Sequence, residues 1–219
     1  MNTTTDRKHW TQFGLLLALL GIPLIATAFR LAFAPMGTEL TLARELALFA
    51  GAALLLWLIR RGEGLPWASI GLRRTPPGNA ALWVLLGLLA SAAAIAIGFG
   101  LIHLTGLHFG HAAPAVKPPL WLTCLVLLRA GTVEELCFRG YAIERLEALT
   151  GKRWLAVGLP LVVFAAFHQT QGSGGVLMAL LLGGVLSAIY LRKRNLWLNM
   201  TIHFLVDFIP NVLLASLLN

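Results

Sequence analysis

Residues 79–104 read NAALWVLLGLLASAAAIAIGFGLIHL, a run without a single Asp, Glu, Lys or Arg. A bilayer core is crossed by about 20 apolar helical residues, so this stretch is long enough to span one and too apolar for a water-facing helix. Outward from it, six more apolar segments show the same pattern: roughly 12–34, 40–59, 119–139, 154–170, 175–191 and 196–218. The spacing predicts an all-α fold, a polytopic membrane bundle of about seven, or eight, transmembrane helices. One integral-membrane domain occupies residues 1–219, with no repeat and no low-complexity linker.

Composition excludes the other classes. Of 219 residues 58% are apolar and only 12% charged, where a soluble domain carries about a quarter charged. Two cysteines build no disulfide framework, and on one helix Cys124 and Cys137 stand roughly 19 Å apart, too far to bridge. The net charge of +8 would suggest nucleic acid in a soluble protein. Here the basic residues fall in alternate joints: Arg7 and Lys8, Arg60 and Arg61 with Arg73 and Arg74, Lys152 and Arg153, Arg192 to Arg194. With the N-terminus in the cytoplasm these joints are all inside, and the outer ones hold only Lys117, as the positive-inside rule requires. The partner implied is the lipid bilayer, not nucleic acid.

Local features fit that topology. All seven tryptophans, at 10, 57, 67, 83, 121, 154 and 197, sit near segment ends as interfacial anchors. The stretch GLPWASIGLRR, from Gly64 to Arg74, is too short and basic to span and reads as an interfacial segment. Arg7 and Lys8, an apolar run and Ala26-Thr27-Ala28 have the outline of a signal peptide. The apolar residues that continue through Phe29 to Ala34 favour a retained first transmembrane helix.

Ionisable residues within spans are costly and mark candidate sites. Arg30, Arg44 and Glu45 lie near segment ends, where snorkelling predicts a plain structural role. The fourth segment is different, with Glu134, Glu135 and Arg139 in succession. Adjacent carboxylates on a helix point about 100° apart and serve different ends. Glu135 and Arg139 have the i,i+4 spacing of an ion pair. Glu134 has no local cation in that register, which suits it to general-base work.

The fifth segment places Phe164 and His168 on one face. The seventh puts Asn199, His203 and Asp207 at intervals of four, a polar stripe that must face the bundle interior. Together these side chains supply a base, an orienting group and electrophilic helpers, suited to water attacking a carbonyl. Ser187, among Gly183, Gly184 and Ala188, reads as helix packing. His103, His108 and His111 read as a solvated loop cluster, and Cys137 as structural.

EELCFR, FAAFH and HFLVD resemble, in order and on separate helices, the EExxxR, FxxxH and HxxxN/D motifs of the CAAX protease and bacteriocin-processing (CPBP, or Abi) family of intramembrane endopeptidases. GLRR at Gly71 to Arg74 resembles bacterial members less specifically. The resemblance covers residues 134–207. It implies that Glu134 activates a water held by His168, that Glu135 and Arg139 shape the site, and that His203 with Asp207 stabilises the oxyanion. Asp207 departs from Asn, since an ionised carboxylate cannot donate a hydrogen bond. It is protonated, orients His203, or binds a metal. No cofactor is expected, although Glu134, His168 and His203 are residue types that could ligate zinc.

The resemblance implies a peptide or membrane-protein substrate and a bacterial inner-membrane location. The alternatives are a catalytically silent scaffold or bacteriocin-immunity-type binding protein of the same fold and, more remotely, a transporter or proton relay. Substrate and oligomeric state are not named by the sequence. One geometric demand remains. Glu134 lies about 22 Å down its helix from Pro119, and His168 about 21 Å up from Trp154. They meet only if the fourth helix runs on towards Glu147 and Gln169 to Gly175 is non-helical around a chamber, expected to open to the cytoplasm.

Overall fold

The computed structural model describes residues 4–34, 36–110 and 118–217; His111 and Lys117 lie outside them. Seven helical rods account for nearly all of it, and no strand occurs among the described residues. α1 covers residues 4–33, with a π-helical turn at Leu17–Gly21. α2 covers 38–62, α3 is Pro77–Thr105, and α4 covers 120–150. α5 is Arg153–Ala166, α6 is Gly172–Lys193, and α7 covers 196–217.

Chain punctuation explains the boundaries. α3 starts on Pro77, whose missing N–H costs nothing in a first turn, and stops at Gly106 with φ 68°. α4 stops at Gly151, φ 66°. Asn195 caps α7, its side-chain oxygen accepting from the Leu198 N–H at 3.3 Å.

Five runs are long and apolar enough to cross a membrane: Asp6–Phe33, Thr38–Gly62, Pro77–Thr105, Arg153–Lys193 and Leu196–Leu217. Seven or eight crossings are therefore not reached by length and hydropathy. Two of the predicted segments account for the difference. α4 carries too many charges to count. α5 and α6 form one helical run that folds back through a 3-10 turn at Phe167–Gln171, and Leu161 and Phe164 of α5 lie against Gly183 of α6. The expected non-helical stretch at 169–175 is thus only this turn, with Gly172 at φ 80° outside the helical range.

α4 is the centre of the bundle. Val133, Leu136, Phe138, Tyr141 and Ile143 join Leu15 and Ile22 of α1, Leu55 and Ile59 of α2 and Tyr190 of α6 in one buried core. Much of α3 turns Leu82, Leu85, Leu89 and Ile97 outward, as a lipid-facing helix should. Segment 64–74 does not span. Its short 3-10 turn, Trp67–Ile70, tucks under α4 and buries Ile70 completely. Beside it Glu63 is buried and takes Arg145 at 2.8 Å, Tyr141 Oη–H at 2.8 Å and Thr11 Oγ1–H at 2.8 Å. This closed network ties α1, α2 and α4 together at the basic end.

Candidate active site

The helix that carries the paired glutamates is wound unusually. Residues Ala130–Glu134 and Leu136–Ile143 are π-helical, a winding found most often at functional sites. π winding brings residues five apart onto one face. It thereby joins Arg129 to Glu134, Nη1 to Oε1, at 2.5 Å. The expectation that Glu134 lacks a local cation is overturned for this reason. A close approach of backbones fixes the depth of α7 against the same stretch. A Cβ on Gly131 would lie 2.8 Å from the Phe204 nitrogen.

Glu135 and Glu134 are separated in environment as well as direction. Glu135 is fully buried. Its Oε1 accepts from Arg139 at 2.8 Å and from His203 Nδ1 at 2.8 Å, and its Oε2 accepts from Asn199 at 3.1 Å. Arg139 donates in addition to the Gly183 carbonyl at 3.2 Å and stacks on Phe164. The i,i+4 pair and the inward-facing stripe of α7 are present as read from the sequence. Asp207 lies 3.5 Å from His203 Nε2, so two carboxylates bracket that imidazole. Glu134 keeps 24% of its side chain exposed, and that exposure opens into a cavity.

The cavity has a volume of about 210 Å³. Glu134 and His168 both line it, as do Arg129, Cys137, Phe164 and Gln171. His168 donates from Nδ1 to the Phe164 carbonyl at 2.8 Å and rests on the Phe164 ring. That bond assigns the proton to Nδ1 and leaves Nε2 as the free ring nitrogen. Glu135, Arg139, His203 and Asp207 stand behind the wall, yet Glu134 is in electrostatic reach of both His203 and His168. All six sequence-predicted residues are thus gathered in one place, two facing the cavity and four supporting.

Three residues given a plain role by sequence belong here. Glu45 is fully buried, not snorkelling, and takes Arg44 at 2.5 Å and Arg129 at 2.8 Å. Arg129 therefore bridges Glu45 and Glu134, and Arg30 and Arg44 line the cavity. Their presence inside spans was the available signal; their partners were not readable. The cavity is lined from mid-α4, at Val133 and Glu134, to Arg30 of α1, Arg44 of α2 and the Phe167–Gln171 turn.

Among the described residues no three His, Cys, Asp or Glu side chains converge as a metal-ligand set. His203 Nδ1 is held by Glu135, and His203 is not among the residues that line the cavity with Glu134 and His168. Ser187 is buried in helix packing, and Cys137 is a buried free thiol.

Residues 116–209 match the family model described as type II CAAX prenyl endopeptidase Rce1-like. This is the CAAX protease family that the three motifs resemble, and the match takes in α4 to most of α7, all three motifs included. No curated protein and no solved structure matches the chain. The matched family is a protease family, and five helical runs of the chain are long and apolar enough to cross a membrane.

Proposed function

We propose that this protein is an intramembrane endopeptidase that hydrolyses a peptide bond with water activated by Glu134. The observation that carries the reading is the asymmetry of the glutamate pair. Glu135 is saturated by three partners, whereas Glu134 reaches the cavity with Oε1 on Arg129 and Oε2 without a partner among the described residues. Across the same cavity His168 presents Nε2. A water between Oε2 and Nε2 gives its proton to Glu134 as its oxygen attacks the carbonyl carbon. Glu134 then returns the proton to the departing amine, so the cycle closes without a net proton change.

His203, held at Nδ1 by Glu135 and with Asp207 3.5 Å from Nε2, is the proposed electrophile, its Nε2 turning from Asp207 to the oxyanion when substrate fills the cavity. In this reading α4 is a crossing despite its charges, and α5 and α6 are two, making seven. The N-terminus and the basic joints are cytoplasmic, in a bacterial inner membrane. The substrate is a peptide or membrane protein, and prenylation is not part of the proposal.

The test is hydrolysis of a membrane-peptide library by purified protein, comparing wild type, Glu134→Gln and a chelator-treated sample. Cleavage absent in Glu134→Gln and intact after chelation is the expected result. Loss on chelation would instead indicate a metal. A library left equally untouched by wild type and variant, with binding retained, would favour the silent scaffold.

A further inference from the structure

The cavity wall holds one cation more than its carboxylates use. Glu45 is saturated, with Oε1 on Arg44 and Oε2 on Arg129. Arg129 in turn gives its Nη1 to Glu134. Behind the wall, Glu135 and Asp207 are faced by Arg139 and His203. Arg30 of α1 also lines the cavity, and while its carbonyl accepts from the Ala34 N–H, its guanidinium makes no hydrogen bond or ion pair among the described residues. An unpaired guanidinium within a span is expensive and is retained where it serves a ligand or a pathway.

Resting on the peptidase reading above, we propose that Arg30 is the anion-recognition residue of this cavity and binds a carboxylate of the substrate, either the chain terminus or an acidic side chain. Arg44 stands on the same wall with its Nη1 uncommitted, so a carboxylate there meets a second cation. Guanidinium suits this role because its fork matches the two oxygens of a carboxylate, and in a partly dry cavity such a charge-assisted pair is stronger than in water. Arg30 lies three residues before the end of α1 and Arg44 in the second turn of α2, while Glu134 lies in the middle of α4. A substrate whose carboxylate rests on Arg30 and Arg44 therefore presents to Glu134 a bond some way along its chain from that carboxylate.

The experiment uses full-length protein in detergent. Each sequence of a hydrophobic peptide library is made as the C-terminal acid and the C-terminal amide, and with an internal Glu or Gln. Wild type should favour the anionic member of one of these pairs by about tenfold in kcat/KM, a fold-change in keeping with a hydrogen bond to a charged group. Which pair discriminates tells the chain terminus from a side chain. Arg30→Gln should bring that ratio close to one, and Arg30→Lys should keep most of it.

A second arm reads binding of the same pairs to Glu134→Gln protein by tryptophan fluorescence, which needs no turnover. Discrimination in binding without hydrolysis by wild type would remove the peptidase reading and leave the anion site standing. Equal binding of both members, or no binding of either, overturns the proposal, and so does an acid preference that survives in Arg30→Gln.

Discussion

Arg129 and Glu134, five positions apart on one helix, form a 2.5 Å ion pair that a regular α-helix would not make. The π turn between them supplies the contact, and the same guanidinium reaches Glu45 on α2 at 2.8 Å. Arg129 is therefore the joint between the candidate base and the neighbouring helix. Replacing it by Gln leaves Glu45 buried without a bridging cation and lets Glu134 swing. Breaking such a buried pair costs about 3–5 kcal/mol, so Arg129→Gln should lower the denaturation midpoint in detergent sharply. Arg129→Lys, a point charge able to serve one carboxylate well but not two, should fall between. An unchanged midpoint in Arg129→Gln would rule the joint out.

The two glutamates should fail in opposite ways. Glu134→Gln keeps shape but loses the proton acceptor and the charge opposite Arg129, which still holds Glu45, so cleavage should vanish while stability falls by only about 1–2 kcal/mol. Glu135→Gln strands Arg139, which is 1% exposed, and should cost stability first, by several kcal/mol. Paired measurement of unfolding and peptide hydrolysis separates the roles; matched effects on both would show that they are not distinct.

Helix spacing gives a test with its own control. A methyl at Gly131 would meet the Phe204 backbone at 2.8 Å, whereas one at Gly184 would meet nothing within 4 Å. Gly131→Ala should push α7 off α4 and destabilise by about 1–3 kcal/mol. Gly184→Ala should be neutral or gain up to about 1 kcal/mol from helix propensity. Thermal unfolding of the two variants side by side decides it.

Sidedness is open to chemical labelling. With Cys124 and Cys137 replaced by Ser, Gln171→Cys should react with a membrane-impermeant maleimide in intact bacteria expressing the protein. Arg192→Cys should react only after the membrane is opened. The reverse pattern would put the cavity on the cytoplasmic face and the basic joints outside.

The features legible in the sequence are mostly partners four residues apart, a spacing that holds even where α4 is π-wound at Leu136–Ile143. Glu135 with Arg139, and Asn199 with His203 and Asp207, were legible because spacings of four hold for them. Phe164 under His168 was legible for the same reason, and so was the need for α4 to run on towards Glu147. The Arg129–Glu134 pair was not, because its period belongs to a π turn that no residue there advertises. Glu45 was not either, since its partner Arg129 lies 84 positions away and charge near a segment end looks the same whether it snorkels or turns inward. The crossing count depended on whether Phe167–Gln171 reverses the chain, which hydropathy does not register.

The winding of α4 also sets how the chain tolerates changes in length. A π turn stores one residue more than an α turn, so it can give that residue up by tightening, without rotating the helix beyond it. Removal of a single residue from Ala130 to Val133 would shorten the Arg129–Glu134 spacing to four and still leave Glu135 aimed at Asn199 and His203 of α7 and Arg139 at Gly183 of α6. The same deletion in Glu144–Thr150, which is ordinary α-helix, has no slack to draw on and would turn the residues beyond it by about 100°. The stretch of α4 that carries the glutamates is therefore the part of that helix best able to lose a residue and keep its bearings.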